Sequence, residues 1–532
     1  MHSELHNFER NAQESSQIHT QGAFWTHIQR FGTLANVIGG IGSLLTLCCL
    51  FFLPSPLNLL VPLYAAIGIW VFIRPEAALY MLPIAVPWGS LEGLLPASLN
   101  VSGADLLVFL LGASWALQHV LRTKGKTEIS TGPVGFPFPR VLLLTLLGLL
   151  FAMLLSIPGA QDLKLCLKEI IKWVEVLLIC LIGTTYLRTR RQIWILMAIA
   201  CLAAISQAGL GFFQYAFQLG PTSFIRGDSL RIYGSFSQPN PYAGYLNMTL
   251  VLSLALLLLG NSLKVRVPAG IVSLILGIAV YLTDSRGGML ALAAGIGLLI
   301  LLGLPKKWNI LIRLALIGAL AGVAAYFAGL IPQHLLLPLF NKLGLTGISL
   351  VAPQDADFAT AERLAHWIAG INMFLDHPLT GVGIGNYPAV YDRYFITIFN
   401  NPLGHAHNYY INIAAEAGIL GLGALLLFLT TIFLTGGYIL RNTQRAIDNS
   451  KKRFASAQGA SFASKLLAQT SILANDRALV VGLLASQMTV CVHNLVDNLY
   501  VHSMTSLIAL YLIMLLRLGH NVAHEQSEAV SG

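Results

Sequence analysis

Fourteen apolar runs punctuate this chain, and their lengths constrain its fold more than any other feature. They fall near 35–53, 57–73, 77–91, 104–121, 141–157, 168–187, 192–217, 241–260, 267–283, 287–304, 310–330, 408–436, 479–499 and 503–519. About 20 apolar residues of helix cross a bilayer, and only a helix or a closed barrel satisfies its own backbone there. The sequence therefore predicts an all-α, polytopic transmembrane helix bundle. The third run is short and carries Pro83 and Pro87, so the expected count is about 12–14 helices. Of 532 residues 10% are charged, against about 25% in a soluble domain. The net charge of +9 sits in loops between runs, which argues against nucleic acid as its cause. Cys48, Cys49, Cys180, Cys201 and Cys491 fall inside apolar runs and Cys166 near the end of one, a pattern of packing rather than of disulfides or metal.

Orientation follows from lysine and arginine. Basic clusters stand at Arg122/Lys124/Lys126, Arg188/Arg190/Arg191, Lys264/Arg266, Lys306/Lys307 and from Arg441 to Arg477. Two runs separate each cluster from the next, so all share one side, which charge bias makes cytoplasmic, with both termini. The expected organisation is a polar cytoplasmic tail (1–34, with no cleavable signal), N-terminal membrane helices (35–217), a central region (218–436), a cytoplasmic linker (437–478), C-terminal membrane helices (479–519) and a tail (520–532). The central region holds a large, partly helical extracytoplasmic loop, 331–407. Within it Thr360–Leu375 has helical apolar spacing and predicts an amphipathic helix on the membrane surface or over a cavity. The stretch 442–475 reads as a linker with some helix.

Arg231, Arg286, Arg363, Arg393, His405 and His407 all fall on the extracytoplasmic side. Arginine presents a planar fork that fits phosphate, so Arg231, Arg363 and Arg286 are candidate anion ligands. The competing reading is an ion pair, with Glu362 beside Arg363 and Asp392 beside Arg393. Asn240 reads as a helix N-cap with Pro241 following, and Ser285 as a second cap, each at a helix N-terminus that favours anions. His405-Ala-His407-Asn408 admits three readings: a metal pair without an evident third and fourth ligand, a structural cap through Asn408, or a general base that deprotonates an acceptor hydroxyl. The base reading is favoured, at His407. Glu416 reads as an intramembrane carboxylate two turns into the following span. His493, Asp497 and His502 form a second polar group without an assigned role.

The series Arg231…Gly234-Ser-Phe-Ser-Gln-Pro-Asn240, Asp284-Ser-Arg286-Gly-Gly, Glu362-Arg363…Trp367…Gly381-Val-Gly-Ile-Gly-Asn386, His405-Ala-His407-Asn408 and Glu416-Ala-Gly-Ile-Leu-Gly421 resembles the O-antigen ligase and O-antigen polymerase superfamily. The likeness runs from Arg231 to Gly421. It implies a metal-independent, inverting glycosyltransferase without a cofactor, which moves a glycan from undecaprenyl diphosphate to an acceptor on the extracytoplasmic face of the plasma (inner) membrane. By motif position Arg231 and Arg363 match diphosphate-holding arginines, His407 the catalytic histidine, and Arg286 the family's Ser-Arg element; His405, Asn240, Ser285, Asn408 and Glu416 support them. Implied partners are the lipid-linked glycan donor, a glycan, lipid or protein acceptor, and the bilayer. Three alternatives share the scaffold: a polymerase of lipid-linked repeat units, a flippase of anionic lipid-linked sugars, and a transporter of bicarbonate-type anions.

Overall fold

The computed structural model describes residues 57–89, 101–124, 137–227, 229–303, 358–396, 398–456 and 460–531, with isolated positions between 310 and 353. The run expected at 35–53 and nearly all of that at 310–330 lie outside these residues, as do the N-terminal tail and residues 331–348. Leu57–Ile73 (α1) is an apolar helix in a unit of its own. The second unit begins at Arg74. Its helices are Glu76–Trp88 (α2), Gly103–Lys124 (α3), Arg140–Ser156 (α4), Leu163–Tyr186 (α5), Arg190–Ala216 (α6), Pro239–Leu259 (α7), Leu263–Leu282 (α8), Arg286–Gly303 (α9), Phe358–Asp376 (α10), Tyr387–Val390 (α11), Tyr409–Ala455 (α12), Ala460–His493 (α13) and Met504–Ser531 (α14). One two-residue antiparallel pair, Ile225–Arg226 with Ser229–Leu230, interrupts them.

The all-α bundle is as the sequence predicts. Among the described residues eight helices, α3, α4, α6–α9, α12 and α14, are long and apolar enough to cross a membrane. Local signals set several starts. Thr189 and Gln192 form a reciprocal capping box at α6, and Asp162 caps α5 by accepting from the Lys164 N–H. α7 lies at the centre, its side chains buried almost all the way round. Val251 and Ala255 on α7, Leu299 on α9, and Val481 and Ala485 on α13 form one core cluster.

Two expectations change and one gains detail. α2 runs through Pro83 and Pro87 without breaking. The stretch expected to be a linker with some helix is helical on both sides of 457–459. There the ends of α12, α13 and α14 share a core of Ala446, Ile447, Leu473 and Val522. α12 is broken at Gly418, where φ is 64° and ψ −162°. A Cβ there would meet the Leu379 carbonyl oxygen at 2.2 Å, so glycine is required twice over. Tyr409–Ala417 is therefore a separate segment, and 419–455 is helical throughout, roughly 55 Å along its axis and longer than the ~30 Å hydrocarbon core.

Candidate functional site

Arg231 leaves the short strand pair and reaches the ends of three helices. Its Nε donates to the Thr283 carbonyl at the end of α8 (2.9 Å), and its Nη2 donates to Asn240 Oδ1 near the start of α7 (3.3 Å). Asn240 Oδ1 also accepts from Ser285 Oγ (2.9 Å). Asn240 is not the N-cap that the sequence predicts. α7 begins at Pro239 with Gln238 in the cap position, because Pro239 already fixes a helical φ. The Asn240 amide is thereby free to tie Arg231 to the start of α9. Ser285 does cap α9, accepting from the Gly288 N–H (3.1 Å).

Burial, followed by the like charges of Arg226, Arg363 and Arg286, pulls the Arg231 guanidinium down to about 10. It stays cationic at neutral pH, so this end of the bundle gathers four arginines. Arg226 pairs with Asp284 (3.1 Å) on the exposed rim. Arg363 forms no ion pair with Glu362, and its buried Nε has no hydrogen-bond partner among the described residues. Arg393 likewise makes no ion pair with Asp392; its guanidinium faces the Gln161 amide oxygen at 2.7 Å.

The histidine pair sits where α12 begins. Asn408 caps that helix through the Tyr410 and Ile411 N–H groups (3.0 and 3.1 Å), while its Nδ2 donates to the Leu495 carbonyl (2.8 Å). The Tyr409 N–H donates to the Asn494 carbonyl (2.8 Å). These bonds lash α12 to the loop after α13 and bring Asp497 beside His407, with Nδ1 and Oδ1 3.6 Å apart. His407 takes a left-handed φ of 50°, which costs of order 1–3 kcal/mol outside glycine. Its N–H donates to His405 Nδ1 (3.0 Å), and Trp367 Nε1 donates to its carbonyl (3.2 Å). Neither ring nitrogen of His407 has a hydrogen bond. The capping and base readings thus separate: Asn408 caps, and the His407 imidazole is left for other chemistry.

Two further imidazoles face it. His405 and His366 lie 4.5 and 5.6 Å from His407 between ring centroids. Burial first, then the neighbouring imidazole charges, pulls His366 and His405 down to about 4, so both are neutral at pH 7. The Tyr387 hydroxyl donates to the His366 carbonyl (3.0 Å), so His366 Nδ1 must donate to that hydroxyl (2.9 Å), leaving Nε2 bare. Burial acts to raise the Asp497 carboxyl, but His407, His405 and His493 outweigh it and hold it well below the usual carboxylate range. His493 joins the two halves of the site. A Cβ on Gly287, next to Arg286, would lie 3.5 Å from His493 Nε2, so the start of α9 packs on the end of α13.

His405, His407 and Asp497 bring one ligand atom each within 4.8 Å of one another. The sequence offers no third partner for the histidine pair; the fold supplies one in Asp497, and such a set can hold a divalent ion. Glu416 is almost wholly buried. It precedes the Gly418 break, and its Oε1 accepts from the Tyr387 N–H (3.0 Å), fixing the loop rather than facing the arginines. The glycine-rich 381–386 stretch is scaffold too. Asn386, fully buried, accepts from the Gln161 and Asp162 N–H groups (2.9 and 2.7 Å), and a Cβ at Gly383 would strike Ala160 at 2.6 Å. Sequence reasoning missed Arg226, His366 and the role of Asp497. The polar group around His493 and Asp497 was the visible signal for the last.

Residues 271–429 match the family model described as O-antigen ligase. A comparison with curated proteins returns no significant match. The matched stretch contains Ser285, Arg286, Arg363, His405, His407 and Glu416, and it ends at Leu429, eleven residues beyond the Gly418 break. The family's activity is membrane glycan transfer of the ligase or polymerase type, which agrees with a multi-pass bundle that gathers arginines and histidines at one end. The match of residues 271–429 to an O-antigen ligase domain supports the resemblance of this chain to the O-antigen ligase superfamily.

Proposed function

We propose that the protein is a ligase-type glycosyltransferase. It transfers a glycan from undecaprenyl diphosphate to an acceptor hydroxyl at the extracytoplasmic face of the inner membrane, with inversion and without a metal. The observation that carries this reading is the meeting, at one end of the bundle, of an arginine group around Arg231 with the His407–Asp497 pair. Arg231, Arg363 and Arg286 hold the diphosphate, helped by the α9 N-terminus that Ser285 caps. Asp497, ionised beside Nδ1, favours the tautomer with the proton on that nitrogen and leaves Nε2 as the base. The acceptor oxygen attacks the anomeric carbon while Nε2 takes its proton. The bond from that carbon to the diphosphate oxygen breaks on the opposite face, and the electron pair leaves with the diphosphate against the arginines. Apo hydrogen bonds at such sites are often long, so the 3.6 Å between His407 and Asp497 is compatible with a contact that closes on substrate.

The test is transfer by purified protein from an undecaprenyl-diphosphate-linked glycan, with and without EDTA. His407→Ala should lose about 10²–10⁴ in rate while still binding donor, and cells lacking the protein should accumulate lipid-linked glycan. Loss of activity in EDTA would instead assign His405, His407 and Asp497 to a metal. Near-normal turnover by His407→Ala would return His407 to a structural part.

A further inference from the structure

We infer that α10 is an interfacial helix whose outward face is immersed in the bilayer leaflet nearest the site. The helix is two-faced. Ala361, Ala365, Ala369 and Met373, four residues apart, are fully buried against the protein. On another face Ile371 and Leu375, with Leu379 in the turn that follows, stay exposed; Leu375 is 65% and Leu379 66% exposed. A stripe of large aliphatic side chains left open in this way needs an occupant.

The occupant follows from what the stripe touches. The turn after α10 sits on the ends of two membrane helices. The Ile419 N–H, just past the α12 break, donates to the Pro378 carbonyl (2.9 Å). A Cβ on Gly159, just past α4, would lie 3.0 Å from the Gly381 carbonyl oxygen. On these same two helices the side chains open to the surroundings are apolar: Phe151, Leu154 and Leu155 on α4, and Ile419, Leu420, Leu426 and Leu427 on α12. Both helices are long and apolar enough to cross a membrane, and such an exposed apolar belt on them is suited to lipid. Leu379 follows Pro378, whose carbonyl accepts from the Ile419 N–H, and carries the apolar belt toward α10. The Asp376 carboxylate beside the stripe accepts from the Tyr394 hydroxyl (2.9 Å), an amphipathic partner suited to the headgroup layer. The bilayer that covers Ile419 therefore also covers Leu379, Leu375 and Ile371.

Arg363 lies eight residues before Ile371, roughly 12 Å along the helix axis. Immersion of the stripe fixes the depth of Arg363 and Trp367 in or just above the headgroup layer. The inference needs only the fold and the belt, and stands apart from the transfer chemistry proposed above.

Full-length protein with its native cysteines replaced by alanine would carry a nitroxide at Ile371→Cys, Leu375→Cys or Leu379→Cys, in nanodiscs of phosphatidylethanolamine and phosphatidylglycerol. Collisions with oxygen, which concentrates in lipid, should exceed those with a water-soluble nickel chelate at all three. The order should reverse at Asp392→Cys, an exposed position in the same loop. Nickel access at the stripe equal to that at Asp392→Cys would overturn the inference, placing α10 in water. Exclusion of both reagents would also overturn it, because protein and not lipid would then cover the stripe.

Discussion

The two ends of the bundle treat buried charge in opposite ways. At the start of α6, Arg190 touches two carboxylates, Asp476 on α13 (2.7 Å) and Glu525 on α14. Each of these three ions has an opposite partner, and the contacts tie three helices together. Seventeen residues along α13, roughly 25 Å away, only Arg226 of the four arginines forms an ion pair among the described residues, with Asp284, and neither ring nitrogen of His407 or His493 has a hydrogen bond there. Buried polar groups left unpaired cost about 1–3 kcal/mol each. Atoms without a hydrogen bond occur at the Arg190 end too, among them Arg190 Nη2 and Asp476 Oδ1, but there opposite charges meet; the end where three of four arginines form no ion pair among the described residues is the one ready for charge from a ligand.

After His407→Ala, the substitutions that test this contrast most sharply are Arg231→Ala and Arg363→Ala. A hydrogen bond to a charged group is worth roughly 1.5–3 kcal/mol, so each should cut transfer by roughly tenfold or more while protein level holds. Lysine should rescue only in part, since it keeps the charge and loses the fork. Arg231→Ala carries an added structural cost, because Arg231 also binds Thr283 and Asn240. Arg363→Ala breaks no hydrogen bond of its Nε and is the cleaner probe. Full activity in both variants would remove the anion site.

A smaller effect concerns pH. An unfolded histidine titrates near 6.5, whereas His366 and His405 are held to about 4 in the fold. Below about 6.5 the unfolded chain binds protons that the folded chain refuses. Their contribution to stability is complete above that pH and is lost as pH falls toward 4. Melting temperature in detergent should therefore drop between pH 6.5 and 4, and His366→Gln should flatten the drop. An unchanged slope would mean that His366 is protonated in the fold.

What the sequence made legible was whatever is local. Hydropathy located the spans, and the order of Arg231, Arg286, Arg363 and His407 carried the family resemblance. Asn408 was recognised as a cap because its partners lie two and three residues on. The misreadings came from competition between neighbours or from distance. Asn240 looked like a cap, but Pro239 takes the first helical position and pushes the start back. The break at Gly418 was not visible because nothing in an apolar run announces it; a side chain there would strike the Leu379 carbonyl, thirty-nine residues earlier. Asp497 lies ninety residues from His407, and only the lashing of α12 to the loop after α13 joins them. The glycines of 381–386 entered only through the family resemblance, and their spacing serves the close approach of Ala160 and Leu165, which lie far away in sequence.

The smallest effect on catalysis is expected at the completed end. Asp476 is almost wholly buried and takes part in the Arg190 pair, so Asp476→Asn leaves Arg190 with Glu525 alone. Removing one member of a buried pair costs roughly 3–5 kcal/mol; here Arg190 is partly exposed and Glu525 remains, which places the loss below that range. Melting temperature should fall, and transfer per folded molecule should stay near normal, because the substitution lies most of a membrane thickness from His407. Scanning calorimetry and a single-turnover assay on the same preparation separate the two quantities. If Asp476→Asn instead slows the chemical step at unchanged stability, the two ends are coupled through α13, and the division of labour between them fails.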